Sequence, residues 1–154
     1  MSVISQVSHI GVCVSDLERS IRFYCDVLGF VRSETMADVH VEGEPSDSLL
    51  KLRDVKLHAV YLERDGFRLE LLHYDRPKSP ARAPERTMND LGFTHLSVKV
   101  PDVKAALEKL EALGVEIDRS TVIEMSGFTV AAFVRDPDGL GIELLQQEQG
   151  FGTS

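Results

Sequence analysis

The chain has 154 residues, of which 43% are hydrophobic and 27% charged, enough for one globular domain or two fused modules with a real core. Its formal net charge of −8 argues against nucleic acid and anionic membranes as main partners. No apolar run approaches the roughly 20 residues of a membrane span, and no basic segment leads into an apolar stretch as in a secretory signal. With only Cys13 and Cys25, both inside expected regular elements, the chain reads as a cytoplasmic protein with reduced, mostly buried thiols.

After a short lead-in, Val7 to Val14 alternates as a strand does. Ile10, Val12 and Val14 take one face, and His9, Gly11 and Cys13 the other. Ser15 or Asp16 supplies an N-cap, and a helix runs to about Leu28 with Leu17, Ile21, Tyr24 and Leu28 as its inward stripe. Gly29 ends it. Phe30 to about Glu34 reads as a strand, and 35–48 as a strand end plus an acidic loop. Lys56 to Leu62 and Phe67 to Tyr74 are strands joined by a tight turn at Arg64-Asp65-Gly66. Residues 75–90 carry three prolines and dense charge, the composition of a linker.

From Leu91 the pattern restarts. Thr94 to Val100 alternates again, and Asp102 caps a helix over Val103 to Leu113, with Val103, Ala106, Leu107, Leu110 and Leu113 inward and Gly114 at its end. Strands follow at Val115 to Asp118, Thr121 to Glu124, Thr129 to Val134 and Gly141 to Gln146. Asp136-Pro137-Asp138-Gly139 has the residue choice of a β-turn. The polar tail 147–154 reads as mobile. The modules are therefore 1–74 and 91–146, each strand–helix–strand–strand–strand. His9-x-x-Val12-x-Val14-x-Asp16 repeats as His95-x-x-Val98-x-Val100-x-Asp102, and Leu28-Gly29 as Leu113-Gly114. Asp65–Leu72 (DGFRLELL) repeats as Asp138–Leu145 (DGLGIELL), identical at five of eight positions. One sheet face is covered by the helix of each module; the other needs a partner, which the sister module can supply.

Each copy of the octapeptide holds one carboxylate, Glu70 or Glu143, in an otherwise apolar strand, where it is costly to bury unpaired. Each first strand holds one histidine, His9 or His95, opposite its apolar face. A lone strand histidine is ordinarily a core residue and a lone strand glutamate an edge residue. Recurrence of both at equivalent places of a repeat points instead to four converging ligands. Two neutral imidazoles and two carboxylates neutralise one divalent cation, with Ni, Zn, Co, Mn and Fe all compatible. His73 lies three residues from Glu70 and faces the other way; His40 and His58 have no symmetric partner. All three read as structural or solvated. Lys99 shares the strand face of His95 and could meet an anionic substrate or reach solvent.

The duplicated βαβββ pattern with His9, Glu70, His95 and Glu143 resembles the vicinal oxygen chelate superfamily, which includes glyoxalase I, methylmalonyl-CoA epimerase, extradiol dioxygenases and fosfomycin and bleomycin resistance proteins. FVRDPDGLGIELLQ at 133–146 is similar to the end of bacterial glyoxalase I. The resemblance covers about residues 7–146 and implies an α+β fold, its two modules forming a curved, barrel-like mixed sheet with helices outside. It implies one divalent metal ion per site, a small-molecule substrate and a homodimer, with modules paired within one chain or across two. The implied reaction is that of a glyoxalase I-like lyase or an epimerase: a proton moves through a metal-bound enediolate or enolate, with Glu143 the leading base and Glu70 its symmetric partner. Metal-dependent dioxygenase chemistry is a rival reading, although extradiol dioxygenases use two histidines and one carboxylate, which Glu70 would exceed. A binding protein that sequesters an aromatic natural product is another, with Tyr61, Tyr74, Phe93, Phe128 and Phe133 lining its cleft. Where glyoxalase I places an arginine and an asparagine to hold glutathione, four residues after each of the first two ligands, this chain has Cys13 and Tyr74. Those two positions, with Lys99, are the candidates for substrate contact.

Overall fold

A computed structural model describes residues 3–80, 87–125 and 129–147. The chain divides into two compact units, residues 1–82 and 83–154. The central part of the expected linker, residues 81–86, and the expected tail from 148 on lie outside the described residues; Gln147, expected in the tail, ends a strand instead. The mixed α+β class expected from sequence holds, with one open sheet in each unit.

The first unit opens with β1 (Ile10–Cys13), shorter than the sequence pattern suggests, so that His9 stands immediately ahead of the strand. The ladder continues one bond further, from the Val14 amide to the Leu72 carbonyl at 2.9 Å. Helix α1 (Leu17–Arg22) starts at Asp16, whose Oδ1 accepts from the Arg19 amide at 2.9 Å. That bond holds the Asp16 carboxyl below its ordinary range. The helix then widens into a π turn over Phe23–Val27. The sequence explains the widening. Asp16 to Gly29 is one residue longer than the equivalent stretch from Asp102 to Gly114, and a π turn absorbs one residue without breaking the helix. Leu17, Ile21, Tyr24 and Leu28 are all buried as the stripe requires.

The expected strand at Phe30–Glu34 is shorter, β2 (Val31–Arg32). The acidic loop contains more structure than its composition suggests: β3 (Val39–Glu42) and a short helix, α2 (Ser46–Leu50). β4 (Lys56–Arg64) and β5 (Phe67–Arg76) form a long hairpin. Its turn residues Asp65 and Gly66 both have positive φ, 52° and 77°, the requirement that selects Asp-Gly in a two-residue hairpin loop. β5 extends through Asp75 and Arg76, into the stretch read as linker. The ladder shifts register between Leu57 and Lys56, so that Arg76 pairs with Lys56, and the Arg76 guanidinium donates to Asp54 at 2.9 Å and Glu42 at 2.7 Å. The strand order is β1-β5-β4-β2, with β3 also on β4; β1 runs parallel to β5 and β4 antiparallel to it.

In the second unit β6 (His95–Lys99) leads to α3 (Val103–Ala112), capped by Asp102 Oδ1 on the Ala105 amide at 2.9 Å. β7 (Ile117–Met125) is continuous where two strands were expected, with a register shift on β8 between Asp118 and Ile123. The first unit breaks into β2 and β3 at the corresponding place. β8 (Thr129–Arg135) and β9 (Gly141–Gln147) follow. The order β6-β9-β8-β7 repeats that of the first unit.

Two expectations about packing fail. Leu113 is 63% exposed rather than inward. Stripe positions 103, 107 and 110 are followed by 114, which is Gly114, so Leu113 falls off the stripe; without a π turn nothing rotates it back. Cys13 is exposed and Cys25 half-buried; both are free thiols. Cys13 follows the face of His9 and Gly11, away from the core. Burial raises the Cys25 thiol.

The core of each unit lies between helix and sheet. Val60, Leu62, Leu69 and Leu71 fill it in the first unit, and Val103, Leu107, Val134, Ile142 and Leu144 in the second. Each such side chain contributes about 1.5–3 kcal/mol. Ile142→Ala should cost about 2–5 kcal/mol in urea denaturation, whereas Leu113→Ala should change stability by less than about 0.5 kcal/mol.

Candidate metal centre

Strand alternation positions the site. In β5, Leu69 and Leu71 point into the core, so Glu70 between them projects from the opposite face. Ile142 and Leu144 do the same for Glu143 in β9. The parallel neighbour strand delivers the histidine. β1 pairs Gly11 with Glu70 and leaves His9 just beyond the strand start, and His9 Nε2 lies 3.1 Å from Glu70 Oε2. β6 pairs Ser97 with Glu143, and His95 Nε2 lies 3.5 Å from Glu143 Oε2. The carboxylate side chains are 15% and 23% exposed, too enclosed to be read as edge residues looking at solvent.

Behind each imidazole stands a hydroxyl. Ser8 Oγ is 2.9 Å from His9 Nδ1, and Thr94 Oγ1 is 2.8 Å from His95 Nδ1. A hydroxyl can donate to Nδ1 or accept from Nδ1–H, so it serves either imidazole tautomer. With Nδ1 accepting, Nε2–H donates to the glutamate. With Nδ1–H donating, the Nε2 lone pair faces a carboxylate oxygen, and a positive centre is required there. The sequence signal for these two residues was available: a hydroxyl residue immediately precedes each repeated histidine. It lies outside the spacing pattern that singled out the ligands.

An aromatic ring stands across each carboxylate on the antiparallel neighbour. Tyr61 on β4 is in register with Glu70, and Phe133 on β8 with Glu143. Each ring meets its histidine edge to face, Tyr61 with His9 at 5.3 Å and 72°, Phe133 with His95 at 5.4 Å and 87°. The Tyr61 hydroxyl donates to Glu70 Oε1 at 2.6 Å. Burial, and then this hydrogen bond, push the Tyr61 phenol up to about 12. Sequence reasoning placed Tyr61 only among aromatics of a cleft, since the cross-strand register that sets it on Glu70 is not written in its own strand.

The four expected ligands thus occur as two imidazole–carboxylate pairs, one in each unit. Among the described residues no group of three or more His, Cys, Asp or Glu side chains is drawn around a single point. Two donors each about 2.1 Å from one ion are about 3.0 Å apart at a right angle and about 3.4 Å apart at the tetrahedral angle. The separations of 3.1 and 3.5 Å match these values, so each pair fits adjacent positions on a divalent cation.

Of the candidate substrate contacts, Tyr74 lies on the Glu70 face of β5. Burial raises its phenol, with smaller contributions from Cys13 and Glu70. Cys13 Sγ lies 3.2 Å from Ser79 Oγ. Lys99 is exposed on β6. Phe93 is 75% exposed, and Phe128 lies outside the described residues. The remaining histidines are structural, as expected. His73 Nδ1 is 3.3 Å from the Val14 carbonyl oxygen, and His40 stacks on His58 at 3.8 Å. Arg68, two residues before Glu70, is engaged by Glu63 at 2.7 Å. A groove of about 450 Å³ in the first unit, lined by Ser8, Val31, Glu63, Arg64 and Arg68, opens beside the β4–β5 turn rather than over Glu70.

The turn before β9 fixes where Glu143 begins its strand. Asp136 is buried, and its Oδ1 accepts from the amides of Asp138 at 2.9 Å and Leu140 at 2.6 Å. The Gly139 amide closes the turn on the Asp136 carbonyl at 2.9 Å.

Fold and site together define the class. The family model described as the Glyoxalase/Bleomycin resistance protein/Dioxygenase superfamily matches residues 6–144, and the chain belongs to that family. A probable lactoylglutathione lyase of Synechocystis is 31% identical over 146 residues, covering 90% of this chain and 92% of its own. A glyoxalase family protein of Bacillus cereus superposes with a TM-score of 0.79 at 19% identity, covering 95% and 96% of the two chains. The fosfomycin resistance protein FosX of Listeria monocytogenes, solved with Mn(II) and sulfate, gives a TM-score of 0.61 at 19% identity over 96% of each chain. At these identities the two structures attest the fold. No helix among the described residues is long and apolar enough to cross a membrane.

Asp136→Ala leaves two half-buried amides without their acceptor and should lower stability by about 1–3 kcal/mol in chemical denaturation. Asp136→Asn, which keeps one acceptor oxygen, should lose less than half of that.

Proposed function

We propose that His9, Glu70, His95 and Glu143 are the ligands of a divalent metal ion, and that the chain is a glyoxalase-type lyase or isomerase that moves a proton on a carbon next to a carbonyl. The observation that carries this reading is the repeated pair: an imidazole Nε2 facing a carboxylate oxygen at ligand spacing, with a hydroxyl behind Nδ1, once in each unit. The name of the Synechocystis relative supports the lyase assignment.

When bound, the ion would supply Lewis-acid polarisation of a substrate oxygen. The residues do the rest. Ser8 and Thr94 accept from Nδ1–H and so leave each Nε2 lone pair free to ligate. Glu143 takes the proton from the carbon beside the carbonyl; the electron pair of that C–H bond moves into the new C=C bond and the carbonyl oxygen gains the charge. The same carboxylic acid returns the proton to the former carbonyl carbon, while the hydroxyl on the first carbon gives its proton to the charged oxygen and becomes the new carbonyl, so the isomerisation balances without a co-reactant. Glu70 is the symmetric partner and holds its place through Tyr61. Phe133 meets the ring of His95 edge to face and stands in register with Glu143. Cys13 and Tyr74, on the Glu70 face, take substrate groups that need neither a cation nor an amide; a thiol adduct bound otherwise than glutathione suits them better than glutathione itself.

Metal analysis of protein purified without added metal, followed by assay with methylglyoxal–thiol adducts and acyl-CoA substrates, tests this reading. A bound divalent ion and turnover that chelation abolishes are expected. Glu143→Gln should lower turnover by about 10²–10⁴-fold while the far-UV circular dichroism is unchanged. Undiminished turnover in that variant would remove Glu143 as the base.

A further inference from the structure

The two half-sites share a histidine, a glutamate, a hydroxyl residue behind the imidazole and an aromatic ring, and the rings differ. In register with Glu70 stands Tyr61, and in register with Glu143 stands Phe133. Both rings lie edge-on to their histidine at nearly the same distance. The difference is a hydroxyl, which donates to Glu70 Oε1 at 2.6 Å. Tyr61 is itself 7% exposed and fixed on the central hairpin, so its hydroxyl is a rigid anchor. It occupies Oε1 and leaves Oε2 to face His9 Nε2 at 3.1 Å. Among the described residues no hydroxyl takes the equivalent place beside Glu143, whose separation from His95 is the longer, 3.5 Å.

Resting on the reading of Glu70 and Glu143 as ligands, we infer that Tyr61 is a positioning residue that fixes which oxygen of Glu70 faces the metal, a restraint that Phe133 cannot give Glu143. A carboxylate held by a short hydrogen bond from a buried phenol keeps one oxygen aimed, and that bond also withdraws charge from the base it would otherwise be. Glu143, with Phe133 in register beside it, has no such hydrogen bond among the described residues. The hydroxyl thereby sets the two half-sites of the duplication apart.

The test uses metal alone on the full chain. Wild type, Tyr61→Phe, the double variant Tyr61→Phe/Phe133→Tyr and His9→Ala are each titrated with Co²⁺, measuring affinity by chelator competition and recording the visible d–d spectrum. Tyr61→Phe should weaken binding roughly tenfold to a hundredfold and alter the spectrum, because Glu70 no longer has a set orientation. The double variant moves the hydroxyl to the other half-site and should recover most of the affinity. A merely structural role for Tyr61 would lower thermal stability and leave the spectrum of the bound ion unchanged. If His9→Ala loses binding while Tyr61→Phe matches wild type in both affinity and spectrum, the positioning role is overturned and the ligand assignment stands. If His9→Ala binds as wild type does, the ligand assignment fails, and the role of Tyr61 with it.

Discussion

A carboxylate on the open face of a sheet, held against an imidazole from the parallel neighbour strand, is the constraint around which both units are built. Its position is not free. Leu69 and Leu71 on one side, Ile142 and Leu144 on the other, are driven into the core, and strand alternation then forces Glu70 and Glu143 outward. A one-residue slip in β5 or β9 would bury the charge and expose two aliphatic side chains. The hydrophobic core therefore sets the register, and the register sets the distance between nitrogen and oxygen. The hairpin turn at Asp65-Gly66 and the buried Asp136 turn hold the same register from the strand ends.

Much of this was legible in the sequence because duplication supplies an internal control. A histidine and a glutamate that recur at equivalent places are constrained twice. The helix stripes, both aspartate caps and the Asp-Gly hairpin follow from local chemistry and were readable for that reason. What was missed depends on relations across strands or on small differences between the copies. Tyr61 meets Glu70 only through β4–β5 pairing. The extra residue that becomes the π turn shows only when the two modules are counted against each other, and the same count explains why Leu28 is buried while Leu113 is not. β3 and α2 lie in a polar stretch with weak periodicity; β3 owes its existence to hydrogen bonding along β4 rather than to a strong pattern of its own.

Duplication also frames the chemistry. Two equal carboxylates on one centre would compete for a single proton-transfer role. The two halves differ at one aromatic position, Tyr61 against Phe133, and with it in the hydrogen bond that Glu70 receives. The family's description joins glyoxalases, bleomycin resistance proteins and dioxygenases, so the fold by itself does not set the reaction, and the side chains around the site must.

The central claim is that the two imidazoles and two carboxylates ligate one ion. X-ray absorption spectroscopy of the chain loaded with one equivalent of Zn²⁺ addresses it directly. The account predicts a first shell of nitrogen and oxygen at about 2.0–2.2 Å, with multiple scattering from two imidazole rings that falls to one ring in His9→Ala and likewise in His95→Ala. A sulfur shell, or a spectrum without imidazole scattering that neither substitution changes, would contradict it.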